Sequence, residues 1–137
     1  MSYAGEVTSA EAFERLSANG RAALVDVRTH AEWTYVGLPD LRPIGKETIT
    51  VSWSNYPGAV RNETFVAELA SAGVTPDTEI FFLCRSGARS RAAAIAATAA
   101  GYTAYNVSDG FEGPLDGDAH RNTVGGWRAA GLPWRQT

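Results

Sequence analysis

The feature that most constrains the fold is a buried strand followed at once by a polar loop and an alanine-rich helix. The strand is predicted at Glu79–Leu83 and the helix at residues 86–100, where Gly101 ends it. Further strands alternate with helices along the chain, which predicts a parallel sheet covered on both faces. Ligands of such sheets bind beyond the carboxyl ends of the strands, so the residues after Leu83 are the first candidates for a site.

Weaker patterns predict the remaining elements. Thr8 and Glu11 form a capping-box pattern that starts a helix ending near Asn19 and Gly20. Strands are predicted over residues 22–27, 47–53 and 103–107, and short helices over residues 29–35, 62–72 and 124–130. Residues 37–46 and 109–126, which are rich in glycine and contain prolines, are predicted loops.

Length and composition narrow the class of protein. A chain of 137 residues favours one domain over residues 1–137, and its net charge of −3 does not suggest a nucleic-acid or anionic-membrane partner. One cysteine excludes an internal disulfide and suits a reducing compartment. The first residues do not match a signal peptide, and residues 92–100 are too few to span a bilayer, so a cytoplasmic protein is expected.

The loop after the clearest strand carries the candidate chemistry. It reads Cys84-Arg85-Ser86-Gly87-Ala88-Arg89-Ser90, with Arg91 already inside the helix. Backbone N–H groups of a tight loop and of a helix start can converge on an anion, and two arginines add permanent positive charge. This environment favours a nucleophilic thiolate at Cys84. The alternative is a buried apolar filler, but a filler does not need a polar loop around it.

This loop resembles the active loop of the rhodanese family of sulfurtransferases. The resemblance extends to Leu24-Val25-Asp26-Val27-Arg28 with Glu32-Trp33, to Asn106-Val107 with Gly110, and to the ending from Gly126-Trp127 to Gly131-Leu132-Pro133-Trp134. It implies a rhodanese-like α/β fold with a central parallel sheet of about five strands and helices on both faces. Two departures are visible: Gly37-Leu38-Pro39-Asp40 stands where the family often has a histidine, and residues 111–125 form a longer stretch, a candidate lid or partner surface.

The resemblance implies sulfur transfer in two steps. Cys84 takes the outer sulfur of a small anionic donor such as thiosulfate and forms a persulfide, which an external thiol, a protein acceptor or cyanide then receives. Arg85 would hold the donor, and Arg89 would brace the loop or pair with the anion. The backbone from Ser86 through Gly87, Ala88 and Arg89 to Ser90 would stabilise the persulfide. No cofactor is implied.

Other polar residues are interpreted as structural. Asp26 and Arg28 are expected to pair and to fix the base of the active loop, with Glu32 as a further partner of Arg28. His30 and His120 lack metal-ligand spacing, so no metal site is expected. Trp53 is expected in core or rim packing, although Trp53 and His120 are both candidates for reaching the pocket.

Two other functions remain open. The first is a persulfide carrier or protein-interaction module of the same fold without thiosulfate activity. The second, less favoured, is a phosphatase, because related phosphatases use a longer loop with arginine six positions after the cysteine, where this chain has Ser90.

Overall fold

The fold alternates strands and helices around a central sheet. The computed structural model describes residues 2–55, 58 and 60–136. The strands are β1 (Gly5–Val7), β2 (Ala22–Asp26), β3 (Leu38–Pro39), β4 (Ile49–Thr50), β5 (Ser54–Asn55), β6 (Val60–Arg61), β7 (Glu79–Leu83), β8 (Thr103–Val107) and β9 (Trp134–Arg135). The helices are α1 (Ser9–Ala18), α2 (His30–Tyr35), α3 (Phe65–Ser71) and α4 (Ala88–Ala99), with a 3-10 turn at Arg42–Ile44.

Five strands form the central sheet, in the order β1-β8-β7-β2-β4. Every pairing in this sheet is parallel, and β7 lies between β2 and β8. The predicted α/β class with a five-stranded parallel sheet is therefore confirmed. The pairing of Asp26 with Leu83 places the end of β2 beside the start of the active loop.

Side chains of β7 alternate between two cores, one on each face of the sheet. Ile80 and Phe82 belong to the core that includes residues of α3 and α4, whereas Phe81 and Leu83 belong to the core that includes residues of α1. Successive side chains of a strand point to opposite faces of the sheet. Cys84 continues this alternation, and its side chain belongs to the same core as the buried residues of α4. The alternation of side chains along β7 thus places the Cys84 sulfur on the face of the sheet that α4 covers.

The alanine face of α4 packs directly on the sheet. Ala93, Ala94 and Ala97 are fully buried in the core that also contains Phe82 and Cys84. Small side chains allow the helix backbone to approach the strands closely, and interior packing of this density leaves little room for movement. The start of α4 is therefore held firmly over the end of β7.

Two capping boxes confirm the predicted starts of the first two helices. Thr8 caps α1 with Glu11 in reciprocal contact, and Thr29 caps α2 with Glu32 in the same arrangement. Each box satisfies two backbone groups that a helix end would otherwise leave unpaired. Strands β7 and β8 also have the predicted boundaries.

Several predicted elements are wrong or shorter than expected. Residues 47–53 contribute only Ile49–Thr50 to the central sheet, where β4 forms the edge beside β2. Residues 124–130 form bends and turns rather than a helix. One bond within the segment, from the N–H of Ala130 to the Gly126 carbonyl, closes a single turn, but the N–H of Gly126 donates to the Asp109 carboxylate and that of Trp127 to the Gly110 carbonyl. Strand β1 and the β3–β9 pair were not predicted, since both are too short to show a period.

A buried ion pair lies below the end of β2. The Asp26 and Arg28 side chains are both fully buried, with Arg28 Nη2 2.7 Å from Asp26 Oδ2. Arg28 Nη2 also donates to the Gly37 carbonyl at 2.7 Å, and the guanidinium lies 4.3 Å from the centre of the Phe111 ring. Because Val27 also donates its N–H to the Leu83 carbonyl, this pair sits at the base of the active loop.

We expect Arg28→Met to lower the free energy of unfolding by about 3–5 kcal/mol, because it leaves the Asp26 carboxylate buried without its partner. Arg42→Met is the matched control, since it removes an arginine that is 68% exposed from its pair with Asp40. Urea unfolding of both variants tests this. Similar stabilities for the two variants would contradict a supporting role for the buried pair.

Candidate functional site

Cys84 lies where β7 ends and the loop toward α4 begins. Its side chain is nearly fully buried, with 1% exposure. The sulfur accepts a hydrogen bond from the N–H of Gly87 at 3.1 Å and lies 3.2 Å from Oγ of Ser90. A helix leaves its first N–H groups without an internal acceptor, so the amides of Ala88, Arg89 and Ser90 add partial positive charge on this side of the sulfur.

Gly87 makes the tight turn of the loop possible. Its φ of +111° lies in a region that side chains disfavour, and an added Cβ would stand 2.5 Å from the Ser108 carbonyl oxygen. The same residue caps α4 and presents its N–H to the sulfur. A glycine at this position therefore lets the loop close tightly beneath the helix.

The outer side of the loop is bonded to the segment that follows β8. The Cys84 carbonyl accepts from the N–H of Phe111 at 2.8 Å, and the Arg85 carbonyl accepts from Glu112 at 3.0 Å and Gly113 at 3.2 Å. A Cβ on Gly110 would lie 2.6 Å from the nitrogen of Ser86, so this segment packs directly against the loop backbone. The start of the long stretch at residues 111–125 thus supports the active loop.

Ser90 and Asn106 form a buried polar pair behind the sulfur. The Ser90 hydroxyl donates to Asn106 Oδ1 at 2.5 Å, and Asn106 Nδ2 donates to the Gly87 carbonyl at 3.2 Å. The same hydroxyl contacts Cys84, so one side chain joins the sulfur to β8. The sequence analysis mentions Asn106 only as part of the family resemblance and does not predict this hydrogen-bonding role. An amide side chain within an otherwise apolar strand could have indicated it, because buried amides need hydrogen-bond partners.

The second arginine of the loop is paired with α2. Arg89 makes a two-point contact with Glu32, at 2.6 Å and 3.0 Å, and Glu32 also accepts from the N–H of Thr29. Burial alone would raise the pKa of Glu32, but the hydrogen bond and charge of Arg89 outweigh it and lower that pKa. The same hydrogen bond raises the pKa of Arg89. The expected Arg28–Glu32 pair is not formed, because Glu32 faces Arg89 and Arg28 is bound to Asp26.

The first arginine of the loop, Arg85, is exposed and has no ion-pair partner in the described part of the chain. Arg85 and Arg89 both line an open cleft of about 660 Å³ beside the loop. The other described residues that line this cleft are Thr29, Ala31, Glu32, Tyr35, Val36, Ser54, Asn55 and Glu112. Within the loop itself, Ser86 is half-buried and Ala88 is exposed.

The remaining candidates lie elsewhere. Trp53 packs edge-on against Phe65, with ring centres 5.1 Å apart, and His120 is exposed; neither is among the residues that line the cleft. His30 stands against Trp33 and lines a smaller neighbouring pocket, and Arg91 lies on the exposed side of α4.

Two further structural properties concern metals and membranes. In the described part of the chain, no three metal-ligating side chains form a cluster. Over the same residues, no helix has the length and apolarity that crossing a membrane requires.

We expect the Glu32–Arg89 pair to stabilise the fold in a pH-dependent way. Because the folded-state pKa of Glu32 is lowered, its contribution is complete above the unfolded value of about 4.3 and is lost as the pH falls through the folded value. The difference in free energy of unfolding between wild type and Glu32→Gln should therefore be constant near neutral pH and shrink on acidification. Urea unfolding at a series of pH values measures this difference.

The matched control for this experiment is Glu14→Gln, which removes an exposed carboxylate that has no ion-pair partner among the described residues. Its difference from wild type should not depend on acidification in the same way. A Glu32→Gln difference that stays constant down to the lowest pH would contradict the assigned ion pair.

Known proteins share this architecture. The crystal structure of Rv0390 from M. tuberculosis superposes with a TM-score of 0.90 and 52% sequence identity, covering 99% of this chain and 100% of that one. The solution structure of the 30 kDa polysulfide-sulfur transferase homodimer from Wolinella succinogenes superposes with a TM-score of 0.65 over 96% of this chain and 78% of that one. At 23% identity, the second likeness shows the fold alone.

Sequence comparison gives the family. The chloroplastic rhodanese-like domain-containing protein 4 of Arabidopsis thaliana is 26% identical over 134 residues, which are 95% of this chain and 25% of that protein. The family model described as the STR4 middle domain matches residues 4–137. The chain therefore has a rhodanese-like fold and belongs to the STR4 middle domain family.

Proposed function

We propose that this protein is a sulfurtransferase that carries sulfane sulfur as a persulfide on Cys84. The observation that carries the proposal is the position of the sulfur, which accepts the N–H of Gly87 at the start of α4. Backbone donors and a helix start stabilise an anion at this point, whether a thiolate or the terminal sulfur of a persulfide. The distant relatives named as rhodanese-like or as a sulfur transferase support the same class of chemistry.

The reaction has two balanced steps. The Cys84 thiolate attacks the outer sulfur of the donor, a sulfur–sulfur bond forms, and the donor's own sulfur–sulfur bond breaks with its electron pair leaving on the sulfite or equivalent group. An acceptor thiolate or cyanide then attacks the terminal sulfur of the persulfide and releases the Cys84 thiolate. Covalent catalysis of this kind divides one difficult transfer into two easier ones. Because the chain has one cysteine, a thiol acceptor must come from another molecule.

The two loop arginines have different roles in this proposal. Arg85 is exposed and unpaired among the described residues, so it is the residue that attracts and holds an anionic donor. Arg89 is held by Glu32 and braces the loop against α2. The backbone of Ser86 to Ser90, with Gly87 as the observed donor, holds the persulfide.

A persulfide carrier that serves one protein partner uses the same first step and differs only in the acceptor. A phosphatase is not favoured, since Arg89 is engaged by Glu32 and the loop is shorter than in related phosphatases. One domain over residues 1–137 and a cytoplasmic location both remain predictions.

Exposure of the wild-type protein to thiosulfate is expected to add about 32 Da to Cys84, and later cyanide to remove it with formation of thiocyanate. The Cys84→Ser variant should gain no mass and form no thiocyanate. Intact-protein mass spectrometry and a thiocyanate assay measure both steps, and p-nitrophenyl phosphate tests the phosphatase.

Each outcome of this experiment has a distinct meaning. Added mass without turnover to cyanide would favour the dedicated carrier. Absence of added mass with every sulfane donor tried, including organic ones, would refute the persulfide proposal.

A further inference from the structure

The hydroxyl group of Ser90 has more acceptors around it than its one proton can serve. Its Oγ lies 2.5 Å from Asn106 Oδ1, 3.2 Å from the Gly87 carbonyl oxygen and 3.2 Å from the Cys84 sulfur. A hydroxyl donates one hydrogen bond and accepts up to two. Because the Ser90, Asn106 and Cys84 side chains are all buried, the direction of this proton decides what the hydroxyl offers to the sulfur.

The Gly87 carbonyl fixes the orientation of the Asn106 amide. That oxygen can only accept a hydrogen bond, so the amide atom 3.2 Å from it is the nitrogen Nδ2. The other end of the amide, Oδ1, therefore faces Ser90 and receives the hydroxyl proton. An amide turned the other way would set two carbonyl oxygens against each other inside the core, which is unfavourable.

The sulfur is therefore the donor in its contact with Ser90. Both oxygen neighbours of the hydroxyl only accept, so its proton points to one of them and away from the sulfur. Cys84 can then bond to the Ser90 oxygen only by donating, which requires the protonated thiol. The N–H of Gly87 reaches the sulfur at 3.1 Å and serves a thiol and a thiolate alike. A thiolate, in contrast, would face a lone pair of the hydroxyl oxygen.

We propose that Asn106 is a positioning residue that withholds the Ser90 proton from the sulfur, so that the resting Cys84 keeps its own proton to a higher pH. When the thiolate does form, the thiol proton goes to solvent. The Ser90 proton can then turn to the sulfur only by leaving Asn106 Oδ1 buried without a donor, and such a loss is costly. The contact thus opposes ionisation of the free cysteine.

The consequence for catalysis rests on the proposed function. In the persulfide, the inner sulfur is bonded to the outer sulfur and carries no proton, and the negative charge lies on the outer sulfur. The Ser90 proton then stays with Asn106 Oδ1, and no buried acceptor is left unpaired. The polar pair therefore destabilises the free thiolate relative to both the thiol and the persulfide.

Charged groups also act on the sulfur, and they come from the loop, β2 and α2. Arg85 and Arg89 belong to the loop, and Arg89 interacts with the charge of the sulfur. Asp26 of β2 and Glu32 of α2 are each bound by an arginine. Strand β8 has no charged residue, and the other charged residues of α3 and α4 are exposed. Substitutions in the polar pair leave all these groups in place, so differences between variants report on the pair itself.

The pH profile of Cys84 alkylation by iodoacetamide tests the inference, because the thiolate is the reacting form. The chain has one cysteine, so intact-protein mass spectrometry follows this residue alone. Ser90→Ala removes both the acceptor of the thiol proton and the lone pair that opposes the thiolate. The midpoint of the profile should therefore fall by about half to one pH unit. A midpoint that rises would mean that the hydroxyl donates to the sulfur, and would overturn the inference.

Asn106→Leu tests the positioning residue itself. It frees the Ser90 proton to turn to the thiolate, while the Gly87 carbonyl keeps the N–H of Arg91 as a donor. The midpoint should fall by about one pH unit, since a donor to a charged sulfur favours the charged form. In the Ser90→Ala background the same substitution should cause no further shift, because the hydroxyl through which it acts is gone. If Asn106→Leu does not fold, the sign of the Ser90→Ala shift decides.

Thr98→Ala is the matched control. It removes a buried hydroxyl of the same helix that has no hydrogen-bond partner among the described residues. Its midpoint should equal that of wild type. Far-UV circular dichroism identifies the variants that are folded, and unchanged midpoints in folded Ser90→Ala and Asn106→Leu would give the pair a purely structural role and overturn the inference.

Sulfur transfer provides a second readout. Above the midpoints of all variants, folded Ser90→Ala and Asn106→Leu should take sulfur from thiosulfate about two- to threefold more slowly than wild type and pass it to cyanide faster. The reason is that a more stable thiolate is a weaker nucleophile, with a Brønsted slope of roughly 0.4–0.5, and a better leaving group.

The two readouts separate the inference from the proposed function. Lower alkylation midpoints, without a Cys84 persulfide from any sulfane donor, would refute the proposed function and leave the role of Asn106 intact. A persulfide in every variant, with midpoints that do not move, would overturn the role of Asn106 and leave the sulfurtransferase intact.

Discussion

The hydrogen bond from the Gly87 N–H to the Cys84 sulfur is the contact on which the candidate site depends. It requires a strand that ends with the sulfur facing α4, a glycine that tolerates φ of +111°, and a helix that begins at the next residue. The alternation of β7 provides the first condition, and the buried alanines of α4 hold the helix close enough for the third. Since a free cysteine is more often an apolar filler, this short donor contact is what distinguishes Cys84 from an ordinary core residue.

The two arginines of the loop lie in different environments. Arg85 and Arg89 are four residues apart, yet one is exposed without a partner among the described residues and the other is bound by Glu32. Glu32 can hold Arg89 because its capping box with Thr29 has already fixed its direction. Glu32, which belongs to the capping box of α2, therefore also neutralises one of the two arginines that line the cleft. The stability of α2 and the net charge of the cleft thus depend on the same side chain.

The sequence predicted the parts of the fold that local patterns specify. Strand β7, strand β8 and the capped starts of α1 and α2 follow from apolar runs and from the Thr8–Glu11 and Thr29–Glu32 spacings. The predicted helix at residues 124–130 failed because tertiary contacts, such as that of the buried Trp127 with Gly110, override local propensity.

The same distinction applies to the site. The candidate loop is contiguous, so the sequence alone could propose its residues, and both their membership of a site and the roles that the resemblance implies remain predictions. The pairing of Glu32 with Arg89 joins residues 57 positions apart, and the Ser90–Asn106 contact joins two elements. With several arginines and carboxylates available, composition offers no rule for choosing partners. The packing of α2 against the loop decides that Glu32 meets Arg89, whereas the pair of Asp26 and Arg28 is local and joins residues two positions apart.

The sulfur of Cys84 is buried beside the cleft rather than exposed within it. Cys84 is 1% exposed and is not among the residues that line the cleft, whereas its neighbours Arg85 and Arg89 are. In the proposed reaction, the reacting atom of the donor therefore has to reach a buried sulfur from the cleft. A single terminal sulfur atom suits this position, because nothing beyond it has to enter the core with it.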